Sequence, residues 1–584
     1  MAAFASWPQA RRQGLRFGIL LIGLLLLNFF GQQYFTRIDL TEDGRYSISP
    51  ATQRLLSELE GELTIKVYLE GKFPPGFKRL QTTVKETLDE FQRYAGNRLK
   101  VRYIDPSQAN NEEERKQNYL QLVQKGINPT NIFANEDGKR VEKLIFPGAV
   151  LSYTPPIDKD TNQYEATTLL FRTIDQRMPN APSPDEILNQ SIENVEYHLA
   201  SAIQRLVMDE EKRKNIGFLQ GHGEAPDIRL ADLLTTLSQT YNVFKVDLPQ
   251  QSSLEGLDAI VIAKPDTAYS DKEKYKIDQY IMSGGKALFF LDAVGVYMDS
   301  VLRDKGSFTF PYDHNLTDML FKYGVYLEPK LIKDLNAGFI PMVTGNMGDQ
   351  TQVQPIPWHY YPLVNTFAPH PIVRNLDAVY TKFVTKIDTV KAVGIRKTPL
   401  MFTSRYSALR GTPAFITFNE ARVEPNPAQF SAGPQPIAYL LEGRFTSLFK
   451  NRITPQDPRR ASFREQGQPT KVLVCTDGDL IQNDITIDKA SGKPQPLPLG
   501  FDRYSRRTFA NKEFVVNAID YMLDEEGVIS ARAKEVILRP LDKVKLKEER
   551  LYWQTLNMGL PVLLLWIFGG VWFLARRRMY ARQG

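Results

Sequence analysis

Two apolar runs, one near each end of the 584-residue chain, constrain this sequence more than anything between them. The first is Phe17-Gly-Ile-Leu-Leu-Ile-Gly-Leu-Leu-Leu-Leu-Asn-Phe-Phe30, extending to Tyr34 and Phe35. The second runs from Leu556 to Ala575 and contains Leu560-Pro-Val-Leu-Leu-Leu-Trp-Ile-Phe568. At about 1.5 Å per residue, about 18–19 residues cross a hydrocarbon core of roughly 30 Å. Both runs therefore read as transmembrane helices, while the mean hydropathy of −0.33 is that of soluble material.

Positive charge orients such helices. Arg11, Arg12 and Arg16 precede the first run, and Arg576, Arg577, Arg578 and Arg582 follow the second. Both termini are expected in the cytoplasm of a bacterial inner membrane, with the intervening domain extracytoplasmic. A cleaved signal peptide would need a small-residue site after the apolar core. Gly31-Gln-Gln-Tyr-Phe-Thr-Arg37 follows instead, which reads as an uncleaved anchor. At the other end, Tyr552, Trp553, Trp566 and Trp572 near the interfaces argue against a buried core helix.

Between the anchors the composition is globular, with 42% hydrophobic and 24% charged residues. The net charge of +6 is largely that of the terminal arginines, so it carries no nucleic-acid signal. One cysteine, Cys475, excludes an internal disulfide, and Val472-Leu-Val-Cys475 reads as a core strand.

The pattern along the chain is α/β. Ser49-Pro50 opens a short helix through Leu55 and Leu59. Leu63–Leu69 alternates like a strand, Leu80, Val84, Leu88, Phe91 and Ala95 share a helical face, and Leu99–Ile104 is a second strand. This β-α-β unit resembles half of a thioredoxin fold, but no Cys-x-x-Cys occurs, so redox chemistry is excluded. A polar helix near 108–125, short strands over 130–172, a Pro- and Asn-rich loop at 178–184 and a helix from about Ile192 to Val207 follow. From Lys214 the units regularise: strands at 215–219, 243–246, 257–262 and 286–291, with helices between them. Ser270 and Glu273 form a capping box, and Gly284-Gly285 stops that helix. Such alternation predicts a parallel sheet with its site at the strand C-termini. Strand Lys471–Cys475 and a helix after Asn511 are expected to complete it.

The domain boundaries read 1–36 for the cytoplasmic N-terminus and first helix, 37–110 for the thioredoxin-like unit and 111–212 for a connecting region. A main α/β domain spans 213–540 with an insertion at about 315–465. A juxtamembrane linker at 541–555, the second helix at 556–575 and a cytoplasmic tail at 576–584 complete the chain.

The chemistry is best stated by what each reaction requires. An ATPase needs a Gly-x-x-x-x-Gly-Lys-Ser/Thr loop. Gly284-Gly-Lys-Ala287 lacks the upstream glycine and the hydroxyl, so ATP work must come from a partner. Gly221-His-Gly-Glu224 closes a strand, and His222 with Glu224 could be an acid/base pair, metal ligands or a structural turn. Asp477 and Asp479, with Asp292, could bind a cation or simply turn the chain at strand ends. No zinc spacing occurs. In the anchors, Asn28, Asn557, Pro561, Gly569 and Gly570 are the candidate contacts with partner helices.

Several of these pieces together resemble a known family. They are Arg37-Ile-Asp-Leu-Thr41, Tyr46-Ser-Ile-Ser49, Phe218-Leu-Gln-Gly-His-Gly-Glu224, Gly284-Gly-Lys286, Asp477-Gly-Asp479, Leu538-Arg-Pro-Leu541 and Asn557-Met-Gly-Leu-Pro561. In their order, and with both anchors, they look like the auxiliary component of the gliding-motility ABC transporter, the GldG type. The resemblance implies a membrane permease subunit and a separate cytoplasmic ATPase as partners, in systems linked to gliding and surface secretion. It also implies that the central domain is similar to class I glutamine-amidotransferase-like domains, as is a domain of an intraflagellar transport protein. Such an enzyme would place its Cys before its His. Here His198, His222, His314, His359 and His370 all precede Cys475, so catalysis by that thiol is not expected. The resulting expectation is a non-catalytic accessory subunit without a cofactor. The alternatives are a tethered hydrolase or transferase using His222 and Glu224, or a glycan- or peptide-binding module.

Overall fold

Leu63, Ile65 and Val67 alternate with Thr64 and Lys66, and in the computed structural model they form strand β1 (Glu62–Val67) with the three apolar residues buried. The structure describes residues 17–24, 28, 47–109, 111–136, 139–156, 163–171, 183–208, 213–302, 306–347, 350–454, 456–489, 491–524, 527–528 and 548–581. It divides into two units, one through Glu535 and one from Val536.

The first unit begins with helix α1 (Pro50–Ser57), whose cap Ser49 accepts from the Thr52 amide at 3.2 Å. The five apolar residues expected on one face are all buried in α2 (Pro75–Ala95). Strand β2 (Leu99–Tyr103) runs parallel to β1, while β3 (Gly148–Thr154) runs antiparallel along the other edge of β1 and pairs with antiparallel β4 (Tyr164–Leu169). The spatial order is β2-β1-β3-β4. Helix α3 (Glu112–Gln124) is capped by Asn111 and packs Leu122 with Ile127, Phe146 and Val150. The larger cluster, including Leu56, Leu80, Phe91 and Leu199, joins the sheet to α1, α2 and two later helices. Those two are α4 (Pro184–Glu193), an additional helix upstream, and α5 (Val195–Val207), which matches the helix expected from about Ile192 to Val207. The extra turns form because Ser183 and Glu186 make a capping box upstream, and the chain resets at Asn194.

An eight-stranded mixed sheet dominates the rest of this unit. Its strands are β5 (Asn215–Gln220), β6 (Asn242–Asp247), β7 (Ala259–Ala263), β8 (Lys286–Phe290), β9 (Thr366–Phe367), β10 (Ile395–Phe402), β11 (Pro436–Thr446) and β12 (Gln466–Cys475). The order is β9-β10-β11-β12-β8-β7-β5-β6. The five strands β6, β5, β7, β8 and β12 are mutually parallel, and β11, β10 and β9 continue the sheet antiparallel. Thus the segment 315–465, which has no clear period in the sequence, supplies three strands of the same sheet.

Both faces are covered, which explains the continuous apolar runs of β7 and β8. On one face Phe218, Val261, Leu288, Phe290 and Leu473 pack on helices α6 (Asp227–Leu237) and α9 (Asn511–Leu523). On the other, Ile260, Ile262, Phe289 and Val474 meet α7 (Asp271–Met282) and α8 (Thr317–Tyr323). Each such side chain contributes about 1.5–3 kcal/mol on burial. Helix α5 is tied to α9 by the Tyr197 hydroxyl, 3.5 Å from Asp520, which also accepts from Tyr241 at 2.7 Å.

The second unit contains α10 (Arg550–Ala581), within which an 18-residue window between Arg550 and Arg578 has a mean hydropathy of 2.0 and no buried residue. This helix is long and apolar enough to cross a membrane. Of the first apolar run, residues 17–24 and 28 are helical and, apart from half-buried Gly18, exposed, and the remainder lies outside the described residues. So do the motifs at 37–41 and 538–541 and the first part of the linker, 541–547.

Candidate functional site

The parallel strands β5, β7, β8 and β12 bring all five strand-end candidates to one edge of the sheet, in two groups. The first is the turn after β5. Gly223 has φ +70, and a Cβ there would stand 1.5 Å from Asp266 Oδ1, so glycine permits the close approach of that loop. The His222 carbonyl accepts from the amides of Asp266 at 2.9 Å and Thr267 at 3.1 Å. Its amide donates to Glu224 Oε2 at 2.7 Å. The imidazole stacks on Tyr269 with centroids 3.7 Å apart, and Nε2 lies 3.1 Å from Glu273 Oε2. The Tyr269 hydroxyl donates to Glu224 Oε1 at 2.7 Å.

His222, Glu224 and Tyr269 are all buried. Burial, then the Glu224 charge, raises the Tyr269 pKa well above its usual value. Burial alone would raise Glu273, but bonds from Ser270 and His222 hold it below the usual carboxylate range. Glu273 thus serves two purposes, capping α7 and anchoring the β5 turn.

The second group joins Asp292 after β8 with Asp477 and Asp479 after β12. One carboxylate oxygen from each lies within 4.8 Å of the others, a spacing compatible with a metal ion. The chain already places a cation there. Lys264, directly after β7 and held at φ +53, puts Nζ 2.6 Å from Asp479 Oδ2 and 3.2 Å from Asp292 Oδ2. The Gly478 amide donates to Asp292 Oδ1 at 2.7 Å. Asp477 accepts from the amides of Lys382, Asp479 and Leu480 at 2.9, 2.8 and 3.2 Å.

One ammonium therefore faces three carboxyl groups. Burial opposes the Lys264 charge, but Asp479 and then Asp292 outweigh it and raise its pKa. Burial would raise Asp479, yet Lys264 and Lys382 bring it below the usual range. Asp477 goes the other way, pushed well up by burial and then by Asp479 and Asp292. Asp292 is also raised, by burial against the pull of Lys264.

Lys264 was not among the residues singled out from sequence. The available signal was a lysine between a wholly apolar strand and Pro265, at the edge where sites form. Tyr269 and Lys382 were missed for want of any local motif. Cys475 is fully buried as the last residue of β12, and burial raises its thiol pKa well above normal. It should resist maleimide in the native protein and react fully in denaturant; rapid native labelling would contradict that burial.

Among the anchor candidates, Asn557, Pro561, Gly569 and Gly570 lie on α10 and are exposed, with nothing within 4 Å of a Cβ at either glycine. Asn28 is helical and exposed.

Comparison with known proteins adds the following. A model of the auxiliary family described as "ABC-type uncharacterized transport system" matches residues 213–518, the whole parallel core and its strand-end groups. A domain of unknown function, DUF7088, matches 42–152. No curated protein is similar enough to count as a match. A solved structure titled "mmIFT52 N-terminal domain" aligns with 53% of this chain and 99% of its own length, at 12% identity and a TM-score of 0.30. With more than half of its residues inside the first of these models, the chain belongs to the auxiliary family of ABC-type transport systems.

Proposed function

We propose that this chain is a non-catalytic accessory subunit of a gliding-motility-type ABC transporter complex, joining an extracytoplasmic α/β domain to a membrane permease and a separate ATPase. Family membership supports the accessory role. The observation that carries the non-catalytic reading is that the reactive groups at the strand ends are engaged with one another. Lys264 neutralises the carboxylates, Tyr269 and Glu273 hold the His222 turn, and Cys475 is sealed in a strand. The arginines outside each apolar run support an inner-membrane protein with both ends in the cytoplasm. The order β2-β1-β3-β4 supports a thioredoxin-like N-terminal unit, and the helix-covered parallel strands support an amidotransferase-like core.

Purification of the tagged full-length protein in mild detergent should recover a permease and an ATPase in fixed proportion. Recovery of the chain alone would count heavily against the proposal.

A tethered hydrolase is the second reading, favoured by one observation. His222 Nδ1 is buried without a hydrogen bond, 3.5 Å from Glu224 Oε1. Under the accessory reading, His222→Gln leaves complex recovery and cellular function intact. Loss of function in a variant that still folds and assembles would favour the hydrolase.

A further inference from the structure

Antiparallel sheets with one solvated face normally turn polar side chains outward. The small sheet formed by Val294–Gly295, Ser307–Pro311 and Ala414–Ile416 does the opposite. Its inner positions Val294, Thr309 and Ile416 are buried as expected. Its outer face presents Phe308 at 67% exposure and Phe415 at 42%, paired across the strands with centroids 4.9 Å apart. Half-buried Phe310 and Tyr312 continue the row, and Tyr297, 62% exposed, packs on Phe310 at 5.4 Å. Two glycines seat these rings. A Cβ on Gly295 would meet both Phe310 and Tyr312 at 2.8 Å, and one on Gly306 would meet Phe415 at 2.3 Å. The result is a contiguous aromatic platform on an exposed face, the kind of surface that marks a binding site.

Charge says what kind of occupant it fits. At the Tyr312 end the platform runs into carboxylates: Asp266 and Asp313 are exposed, and Asp266 lies close enough to act on the Tyr312 hydroxyl. Lys264 is spent between Asp292 and Asp479. At the opposite end, Arg410, the cation nearest Phe415 among the described residues, is paired with Glu420 at 2.7 Å. Aromatic faces beside carboxylates attract guanidinium and ammonium groups, which stack on the rings while the acids supply the counter-charge.

We propose that the aromatic face of Tyr297, Phe308, Phe310, Tyr312 and Phe415, with Asp266 and Asp313 at its end, docks an arginine-bearing extended segment of a partner protein. The inference deepens the accessory role by naming the chemistry of a partner contact, and it stands on the platform's own geometry.

The test uses the full-length protein in detergent and a fluorescent peptide alternating arginine and leucine. Comparison probes are the same peptide with glutamate for arginine, and a neutral glucan oligosaccharide. The arginine peptide should bind, with affinity falling as salt rises. Binding should weaken about tenfold in Tyr297→Thr/Phe308→Thr, and less in Asp313→Asn. These residues are exposed, so thermal stability should hold; Phe415 is spared because its ring covers Gly306. Equal binding by wild type and the double variant, or preference for the glutamate peptide or the glucan, overturns the proposal. If the double variant still recovers permease and ATPase while losing the peptide, the platform is confirmed independently of the membrane assembly. Failure of the peptide to bind at all, in a preparation that retains those subunits, refutes the platform and leaves the accessory role standing.

Discussion

Replacing Lys264 with methionine should destabilise the α/β domain by about 3 kcal/mol, because removing one partner of a buried ion cluster strands the other charges. Methionine retains the volume of the stem, so the loss reports the ammonium and not a cavity. Side-chain exposure of 30% keeps the figure at the lower end of the range for buried pairs. Denaturant unfolding measures the change, and the double variant Lys264→Met/Asp479→Asn should recover part of it. A loss below about 0.5 kcal/mol would mean that the cluster is not held by this lysine.

Two carboxyl groups of the same cluster contribute a pH effect of one sign, opposite to that of Asp479. Asp477 and Asp292 have native pKa values above those of the unfolded chain, near 3.9 for aspartate. Above that value the native state binds more protons than the unfolded one, so their contribution to stability falls as pH rises through the raised native values. Lys264→Met should exaggerate this trend, and its deficit should shrink on mild acidification.

A comparable loss, about 4 kcal/mol, is expected for Asp278→Ala on helix α7. Asp278 is fully buried and accepts from the Tyr323 hydroxyl at 2.8 Å, the Ser447 hydroxyl at 2.6 Å and the Leu448 amide at 2.9 Å. Alanine leaves these three donors, and the part-buried Gln279 Nε2 that donates to Asp278 Oδ2 at 2.9 Å, without that acceptor, and each buried orphan costs about 1–3 kcal/mol. Burial, then the Asp278 charge, raises the Tyr323 pKa well above its usual value, so that hydroxyl stays a donor at any working pH. Tyr323→Phe removes donor and not acceptor and should lose only about 1 kcal/mol. A double-mutant cycle between the two positions separates the pair from the rest of the network. An Asp278→Ala variant as stable as Tyr323→Phe would show that water replaces the carboxylate.

Much of the α/β core was legible because its signals are local. The capping box at Ser270 and Glu273 forms as expected, and Ala259–Ala263 and Lys286–Phe290 are strands with buried faces. The strand ends did collect His222, Glu224, Asp292, Asp477 and Asp479 at one edge, because parallel strands point their C-termini the same way. What the sequence hid is pairing at long range. Nothing in Ile395–Phe402 or Pro436–Thr446 announces that these strands extend the same sheet, since edge-side partners are set by tertiary packing. Lys264 was invisible for the same reason: its partners lie far along the chain, and a lone lysine carries no motif. The additional helix at Pro184–Glu193 turned on a cap at Ser183, inside a stretch that otherwise reads as a proline-rich loop.

The junction of β8 with β12 has a further consequence for how the chain is made. These neighbours are central in the sheet, yet the Gly478 amide and the Asp292 carboxylate that clasp their ends are 186 residues apart. During synthesis, β5 to β8 can assemble early, leaving the flank of Lys286–Phe290 as an open template until β12 arrives. Folding should be slow for a domain of this size, and its aggregation-prone interval ends only when Gln466–Cys475 is delivered. A truncation just before Gln466 should therefore yield an insoluble product and not a smaller domain.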